Sequence, residues 1–404
     1  MGLTSAGRRP RIGVDACCWS NRRGFGRFTR ELLSALVASD PDRDYIFFVD
    51  QDTARTGMFP REARVVTAST DVAPAVAASA SGRRSLKDMW TLSHAVAREP
   101  IDLFFFPAVY SYFPIMNRCK IVVTIHDMIA DHHPEHVFPN WKAKCFWKLK
   151  QRVALLQAHS ILTVSNHAKQ QIVTYFRIPE SRVATTTEGP THAFVHLPFS
   201  DRTAEILSRI GLRTDEPFVL YVGGISPHKN LSVLVDAFHR VGADPCFAGH
   251  KLVLVGDYQG DVFYSYYDAL RADIDRHGLQ PKVIFTGFVS DLELVELYNA
   301  AQAAVLPSLE EGFGLPAVEA MACGTPIICS DRGSLPEVVG PAGQLFDPGR
   351  PDELAAVLRQ VLGNERLRDS MREAGLQRSR TFTWDAAAQS TLALFDRLIG
   401  SRKP

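Results

Sequence analysis

A chain of 404 residues is too long for one ordinary hydrophobic core, so its length predicts two domains. The formal net charge of +1 argues against a dedicated nucleic-acid-binding protein, which usually carries a strong excess of lysine and arginine. The seven cysteines show no C-x-x-C spacing, no run of about 18 apolar residues occurs, and the first residues lack the apolar core of a signal peptide. These features predict a globular protein of the cytoplasm.

The first half of the chain alternates short apolar runs with amphipathic segments. Near-continuous runs of valine, isoleucine, leucine and phenylalanine are typical of parallel strands that are covered on both faces. The helical patterns between such runs predict βαβ crossovers. Five runs predict strands in this half: RIGVDA, YIFFVD, IDLFFFP, KIVVTIHD and SILTVS. We therefore expect a doubly wound α/β domain over residues 1–200.

Two segments of the first half carry unusual side chains. HDMIADHHPEH contains four histidines and two aspartates, but their spacing matches no common zinc pattern, so we expect a loop over the active site. The second segment predicts a basic, aromatic helix within residues 141–156. It contains Trp141, Lys142, Lys144, Phe146, Trp147, Lys148, Lys150 and Arg152. Contact of residues 141–152 with anionic lipid headgroups is one interpretation, and a helix packed on the first domain with a solvated basic face is the preferred one.

The second half restarts the same alternation after a polar, strand-poor segment at residues 197–216. Its predicted strands are FVLYVGG, KLVLVGD, KVIFTG, AAVLPS and TPIICS. An apolar stripe predicts a helix from Asn230 to Val241, with Asn230 as its cap. We therefore expect a second doubly wound domain over residues 201–382, and a last helix over residues 383–400 that packs back on the first domain. Ligands of such sheets bind beyond the carboxyl ends of the strands.

The segment LPSLEEGFGLPAVEA, residues 306–320, combines features of a phosphate site with carboxylates. Gly312 and Gly314 allow the backbone to turn tightly after the predicted strand. Pro316 suits a first helical turn, so the N–H groups near Gly314 and Leu315 predict a phosphate-binding helix start. The acids need not repel that anion if they bind the hydroxyl-rich groups on either side of it.

Two carboxylates flank this predicted helix start. Glu319 lies about one turn into the helix, where a carboxylate can accept hydrogen bonds from a ribose diol. Glu311 lies in the loop, where it could bind a hydroxyl of a sugar attached to the phosphate. The alternative for Glu319 alone is a favourable interaction with the helix dipole. A second phosphate element is YVGGISPHKN, in which Lys229 places an ammonium before the next helix.

These segments resemble a known family. EEGFGLPAVEAMACGTPIICSDRGSLPEVVG is similar to the signature of the retaining GT-B glycosyltransferases of family 4, whose two glutamates are separated by seven residues, as are Glu311 and Glu319. Further segments resemble the family in the right order: RRGFGRFTRELL, TIHD, YVGGISPHKN, VIFTGFVSDLELVELYNAA and FTWDAAAQSTLALFDRLI. The resemblance covers nearly the whole chain and is loosest before residue 120. It implies a GT-B fold, in which two Rossmann-like domains face a central cleft.

The resemblance also implies roles at matching positions. Glu311 would contact the donor sugar, Lys229 would neutralise the diphosphate, and His126 would point into the cleft near the sugar or the acceptor. Backbone groups would bind the phosphate and sugar near residues 313–315 and the base near residues 288–289. Glu319 would hold the ribose, and a glycine loop would close on the diphosphate. The implied donor-binding positions are Gly24, Gly26, Gly224, Lys229, Phe288, Val289, Phe313, Gly314, Leu315 and Glu319.

One position departs from the family pattern. Many members have an arginine where this chain has Gly224, and that arginine pairs with the lysine at the position of Lys229. Either diphosphate binding is weaker in this chain or another cation substitutes. The candidates are Arg22, Arg23 and Arg27, which are near the glycine loop in the sequence.

The implied reaction moves a sugar from a nucleoside diphosphate sugar, of the GDP-mannose or UDP-hexose type, to an acceptor hydroxyl with retention of configuration. We expect no cofactor and no metal, because a lysine and a helix start can stabilise the leaving diphosphate. The D-x-D segments at residues 42–44 and 273–275 are interpreted as solvated surface. The resemblance implies that this reaction belongs to glycan, glycolipid or glycosylated-metabolite biosynthesis. The alternatives are a sugar-nucleotide epimerase of the same architecture and a non-catalytic sugar-nucleotide-binding protein.

Overall fold

The computed structural model describes residues 8–21, 24–71, 85–138, 140–257 and 266–400. The chain forms two compact units, each with its own parallel sheet. The first unit contains the chain up to Glu188 together with the segment from Trp384, and the second runs from Gly189 to Thr383. The division therefore precedes the polar segment at residues 197–216, whereas the last helix lies in the first unit.

The first unit has a seven-stranded parallel sheet with the strand order β3-β2-β1-β4-β5-β6-β7. Its strands are β1 (Arg11–Asp15), β2 (Asp44–Asp50), β3 (Arg64–Ala68), β4 (Leu103–Phe106), β5 (Lys120–Thr124), β6 (Ser160–Thr163) and β7 (Val183–Thr185). The five strands predicted in this half are confirmed. The two that the sequence did not indicate, β3 and β7, are the edge strands. Of the five residues of β3, only the last is buried, so this strand lacks the continuous apolar run of a central strand.

Helices cover this sheet between successive strands. They are α1 (Gly24–Ser39), α2 (Gln51–Thr56), α3 (Leu86–Ala97), α4 (Ile129–His132), α5 (Pro134–Val137), α6 (Trp141–Gln157), α7 (Asn166–Phe176) and α16 (Trp384–Ile399). The C-terminal helix α16 packs on α1, where the Trp384 ring contacts the Phe28 ring at a centroid distance of 5.9 Å. Phe395 of α16 also contacts Phe105 of β4. This helix therefore completes the core of the first unit although it comes last in the chain.

The second unit has a six-stranded parallel sheet with the order β10-β9-β8-β11-β12-β13. Its strands are β8 (Phe218–Val222), β9 (Lys251–Val255), β10 (Val283–Gly287), β11 (Ala303–Leu306), β12 (Ile327–Ser330) and β13 (Gly343–Phe346). All five predicted strands are present, and the additional strand β13 is again an edge strand. In chain order this sheet reads 3-2-1-4-5-6, which is the order of a dinucleotide-binding Rossmann sheet. The order reverses between β8 and β11, so the crevice favoured for ligands lies at their carboxyl ends.

The helices of the second unit are α8 (Asp201–Arg209), α9 (Leu231–Val241), α10 (Tyr267–Arg276), α11 (Asp291–Ala300), α12 (Leu315–Ala322), α13 (Leu335–Val339), α14 (Pro351–Gly363) and α15 (Glu365–Ser379). The predicted apolar stripe of α9 is buried from Leu231 to Val241. Helix α8 is held by a hydrogen bond of 2.7 Å from Thr203 Oγ1 to a carboxylate oxygen of Glu296 in α11. This buried contact explains why the polar segment belongs to the second unit and does not separate the units.

Candidate active site

The loop between β11 and α12 holds the predicted phosphate site. Gly314, at the start of α12, has a φ of 94°, a left-handed conformation that favours glycine. A Cβ atom at Gly314 would also lie 2.6 Å from a methyl group of Leu335, so a larger residue does not fit. Pro316 lies in the first turn of α12, as predicted. Because the first N–H groups of a helix have no acceptor within it, this start can bind an anion.

The structure brings together the two predicted charged residues of this unit. The Lys229 ammonium donates a hydrogen bond of 2.6 Å to Glu311 Oε1, although the two residues are 82 positions apart. Both side chains are largely buried, with exposed fractions of 19% for Lys229 and 11% for Glu311. Lys229 follows β8 and Glu311 follows β11, the two strands between which the sheet reverses its order. The ion pair therefore lies where this fold class binds ligands.

A serine hydroxyl adds a second contact to the same carboxylate. Ser308 is fully buried and its Oγ donates a hydrogen bond of 2.7 Å to Glu311 Oε1. Burial raises the pKa of Glu311, but the charge and hydrogen bond of Lys229 and the hydrogen bond of Ser308 outweigh burial and hold the pKa below its usual value. Glu311 is therefore a carboxylate at neutral pH, and it can accept hydrogen bonds but not donate them.

The main chain of the loop is held by the segment that follows β12. Ser334 Oγ donates hydrogen bonds to the carbonyl oxygens of Glu311, at 3.1 Å, and Phe313, at 2.8 Å. Gly333 has a φ of 64° and packs so closely that a Cβ atom there would lie 2.7 Å from the Glu311 nitrogen. These contacts fix the main chain of the loop on both sides of Gly312. Sequence reasoning missed Ser308 and Ser334, whose only signal was their position just after apolar strand runs.

The turn that carries Lys229 is held by its neighbour. Asn230 has a φ of 57°, and its side-chain amide donates hydrogen bonds of 3.1 Å to Pro307 O and 2.9 Å to Pro348 O. The residue does stand at the start of α9, but its side chain makes no capping hydrogen bond, so the predicted capping role is wrong. The amide instead ties the Lys229 turn to the end of β11. A capping asparagine would instead use its side-chain oxygen to accept from local N–H groups.

The main chain at Gly224, where the sequence departs from the expected family pattern, makes one local contact. Gly224 accepts a hydrogen bond of 2.8 Å from the Tyr221 hydroxyl to its carbonyl oxygen. Of the three arginines considered as substitutes, Arg27 lies half-buried in α1 of the first unit. Arg22 and Arg23 lie outside the described residues. The substitute for the missing charge stays a prediction.

The other predicted donor-binding positions of the second unit lie after β10 and β11. Glu319 is buried in α12, and the Tyr298 hydroxyl lies 3.4 Å from its Oε2 and 3.2 Å from the Pro316 oxygen. Phe313 and Leu315 are also buried. Sequence reasoning did not identify Tyr298, which reaches Glu319 from α11.

The predicted base-binding segment follows β10. Phe288 is 59% exposed there and Val289 is half-buried. The segment ends at Ser290, which caps α11 through a reciprocal pair of hydrogen bonds with Glu293. The exposed Phe288 ring therefore stands on a defined strand-to-helix connection.

The remaining predicted residues lie in the first unit. His126 follows β5 and is buried, with Nε2 2.9 Å from the Pro107 oxygen and Nδ1 3.5 Å from a carboxylate oxygen of Glu188. Its ring also meets the edge of Phe28 in α1, at a centroid distance of 4.5 Å. Both ring nitrogens of His126 thus have a contact, one to the segment after β4 and one to the segment after β7.

The two glycines at the start of α1 differ in their surroundings. A Cβ atom at Gly26 would lie 2.1 Å from the Asn21 oxygen, whereas one at Gly24 would meet no atom within 4 Å. Gly26 is therefore required by the close approach of α1 to the turn before it. Gly24 is exposed and has no such constraint.

The described residues also bear on metal binding and on membrane-spanning segments. Within the ranges given above, no group of three or more histidine, cysteine, aspartate or glutamate side chains is arranged to hold a metal ion. Asp273 of the second D-x-D segment instead accepts a hydrogen bond of 2.7 Å from Ser232 Oγ. Over the same part of the chain, no helix has the length and apolar character needed to cross a membrane.

Comparison with known proteins now identifies the family. The model described as Glycosyltransferase Family 4 matches residues 22–189, and the model described as Glycosyl transferases group 1 matches residues 203–378. The O-antigen chain mannosyltransferase B of Escherichia coli is 30% identical over 282 residues, which are 69% of this chain and 71% of that protein. The chain belongs to the group 1 glycosyltransferases. This glycosyltransferase spans only about a third of the serotype-specific mannosyltransferase WbdA of Escherichia coli, to which it is 29% identical over 287 residues, 70% of this chain and 34% of WbdA.

Solved structures confirm the fold of this glycosyltransferase. The crystal structure of Anabaena HepE in complex with UDP-glucose superposes with a TM-score of 0.73 and covers 97% of this chain and 100% of HepE. At 20% identity, that likeness supports the fold alone. Together with the two parallel sheets, it confirms the predicted GT-B class with two Rossmann-like domains.

Proposed function

We propose that this glycosyltransferase moves a hexose from a nucleoside diphosphate sugar to an acceptor hydroxyl and retains the anomeric configuration. The observation that carries the proposal is the buried pair of Lys229 and Glu311 beside the start of α12. A diphosphate needs a cation and free N–H groups, and a sugar needs a carboxylate acceptor, so the three elements together fit one ligand. The mannosyltransferase relative and the UDP-glucose complex of HepE support a donor of the GDP-mannose or UDP-hexose type.

The proposal gives the ion pair two states. In the structure, the Lys229 ammonium contacts Glu311. With a donor, the diphosphate would take over that ammonium, and the Glu311 carboxylate would accept hydrogen bonds from sugar hydroxyls while Ser308 keeps its orientation. Glu319, supported by Tyr298, would bind the ribose, and the backbone at residues 288–289 would bind the base. Gly24 and Gly26, at the start of α1, are the proposed donor-binding positions of the first unit.

The proposed chemical step takes place on one face of the sugar. The bond between the anomeric carbon and the phosphate oxygen breaks, and the acceptor oxygen bonds to the same face of that carbon. The leaving diphosphate takes the acceptor proton, so no protein nucleophile is needed. Negative charge grows on the diphosphate, where Lys229 and the α12 N–H groups would stabilise it. The proposal includes no metal and no cofactor, and places His126 near the sugar or the acceptor.

The proposed setting is glycan or glycolipid synthesis in the cytoplasm, at the inner face of the membrane. Two relatives are named as an O-antigen chain mannosyltransferase and a serotype-specific mannosyltransferase, which supports a glycan acceptor. The acceptor group itself would be a hydroxyl, because the step transfers the sugar to oxygen.

The test compares Glu311→Gln with the matched variant Glu310→Gln, which changes the preceding buried glutamate. Purified protein is incubated with a panel of nucleotide sugars, and released nucleoside diphosphate is measured with and without sugar acceptors. We expect slow hydrolysis of one donor by the unmodified protein and by Glu310→Gln. Glu311→Gln should lower that rate by about a hundredfold, the scale expected when a group that orients the reacting sugar is lost.

Each contrary outcome points to another function. Normal turnover by Glu311→Gln contradicts the proposed role of the carboxylate. Epimerised donor in the reaction indicates an epimerase. Binding of a donor without turnover indicates a sugar-nucleotide-binding protein.

A further inference from the structure

Helix α6 of the first unit has one buried face and one strongly exposed face. The buried residues are Trp147, Gln151 and Ala154, which recur at helical spacing. Gln151 donates a hydrogen bond of 2.8 Å to Asp131, and Lys150 donates one of 2.9 Å to the Tyr110 oxygen. The helix is thus packed on its unit, as the preferred interpretation of the sequence held. Trp147 belongs to the core and is not available to a partner.

The outer face of α6 exposes large apolar side chains. Trp141 is 70% exposed, Leu149 62% and Leu156 85%. At 3.6 residues per turn these positions lie on one side of the helix, together with the exposed Cys145 and Arg152. We call this surface, formed by Trp141, Cys145, Lys148, Leu149, Arg152 and Leu156, the outer face. A merely solvated face would not need three such apolar side chains in one row.

The charge of α6 has a single sign. Its 17 residues include four lysines and one arginine, and no aspartate or glutamate. Lys150 is used inside the unit, whereas Lys142, Lys148 and Arg152 are exposed. The Lys142 ammonium lies 5.9 Å from the centre of the Trp141 ring, so cation and aromatic side chain are adjacent at the start of the helix. The outer face therefore combines positive charge with apolar surface in the same row.

We propose that the outer face of α6 binds the surface of an anionic lipid bilayer. Tryptophan and leucine can enter the boundary between headgroups and acyl chains, while lysine and arginine extend to the phosphates. An acidic protein would satisfy the cations but would not explain the exposed row of Trp141, Leu149 and Leu156. The inference rests on the proposed function in one respect, that a sugar acceptor carried by a lipid is presented at a membrane.

The chain offers a matched pair of reporters for this proposal. Of its seven cysteines only Cys145, on the outer face, and Cys246, in the second unit, are exposed. An environment-sensitive fluorophore is attached to Cys145 in the Cys246→Ser variant, and to Cys246 in the Cys145→Ser variant. Vesicles contain phosphatidylcholine alone or phosphatidylcholine mixed with phosphatidylglycerol. We expect a blue shift from the Cys145 label with the anionic vesicles only, and no shift from the Cys246 label.

Charge variants test the electrostatic part by vesicle co-sedimentation. The triple variant removes three exposed charges of α6: Lys142→Gln, Lys148→Gln and Arg152→Gln. We expect its partition onto anionic vesicles to fall about a hundredfold, since each basic residue near such a surface contributes about fivefold. The matched control removes three exposed charges of the second unit and should bind normally: Arg271→Gln, Arg366→Gln and Arg380→Gln.

Several results would overturn the proposal. They are an absence of vesicle binding, equal binding to neutral vesicles, binding without a shift at Cys145, and equal losses in the two triple variants. Donor hydrolysis in solution needs no vesicle, so the triple variant of α6 should keep it. An unmodified protein that hydrolyses no donor would contradict the proposed function but not the proposed lipid-binding face.

Discussion

The loop after β11 and the loop after β5 both follow the carboxyl end of a parallel strand, yet they hold their ionisable side chains in different ways. In the second unit, the Glu311 carboxylate contacts the ammonium of Lys229. Lysine has a flexible side chain, and its ammonium can also bind a phosphate. In the first unit, His126 contacts a main-chain oxygen of Pro107 and the carboxylate of Glu188. The first arrangement can exchange partners when an anion enters, whereas the carbonyl beside His126 is fixed by the backbone.

This difference shows that similar strand ends of one fold class can hold ionisable side chains by different contacts. The carboxyl ends of parallel strands supply loops that converge, but their chemistry depends on which neighbours the loops meet. In the β11 loop the carboxylate contacts a cationic side chain, whereas in the β5 loop the imidazole contacts a main-chain carbonyl and a carboxylate. The variants below test this contrast.

The largest effect is expected when the ion pair is broken from the side of the lysine. Lys229→Met leaves the buried Glu311 carboxylate without its cation, so the free energy of unfolding at pH 7 should fall by about 3 kcal/mol. The double variant Lys229→Met with Glu311→Gln should recover most of that loss, because no buried charge is left. Urea denaturation of the unmodified protein, the two single variants and the double variant measures the coupling free energy between the two side chains. Equal stability of Lys229→Met and the unmodified protein would contradict the claim that the Glu311 carboxylate depends on the charge of Lys229.

The same variant gives a pH dependence with a defined sign. The pKa of Glu311 is lower in the folded protein than its ordinary value, so its interaction contributes stability above that ordinary value and loses it as the pH falls through the folded pKa. The stability gap between the unmodified protein and Lys229→Met should therefore be complete at pH 7 and narrow below about pH 4. A gap that stays constant on acidification would show that the charge of Glu311 is not its source.

A smaller effect is expected at His126, and it should separate the two loops. His126→Gln should lower the rate of transfer to an acceptor by about a hundredfold, if the imidazole contacts the reacting groups as proposed. Hydrolysis of the donor should change less, because Lys229 and the α12 N–H groups, which are proposed to stabilise the diphosphate, lie in the second unit. Parallel assays of transfer and hydrolysis measure this split. Equal loss in both reactions would place His126 with the donor-binding groups.

The smallest effect is expected at Ser308, which we infer to be a positioning residue. Ser308→Ala removes one hydrogen bond to the Glu311 carboxylate, so kcat should fall about tenfold. The pKa of Glu311 should also rise, which moves the acidic limb of the pH–rate profile to higher pH. Ser330→Ala is the control, because that hydroxyl donates to the Ser308 carbonyl oxygen and not to Glu311. An unmoved acidic limb in Ser308→Ala would indicate a purely structural role.

Much of the fold could be predicted from the sequence because central parallel strands are continuous apolar runs. All ten strands so indicated are present, nine of them central and one, β10, at an edge, whereas the other edge strands β3, β7 and β13 lack such runs. Asn230 shows the limit of local reasoning in another way. Its type and position predicted a helix cap, but its amide bonds to carbonyls that lie 77 and 118 residues away. No local pattern contains those partners.

The sequence by itself determined the two alternating α/β halves and the residue types of the candidate site, because hydrophobic period, glycine and proline act over a few residues. Only the tertiary structure decided that Lys229 meets Glu311, that Ser308 holds the same carboxylate, and that Tyr298 reaches Glu319. The physical reason is strand order. Placing β8 beside β11 brings together loops that are far apart in the chain, and that order depends on the packing of the whole sheet.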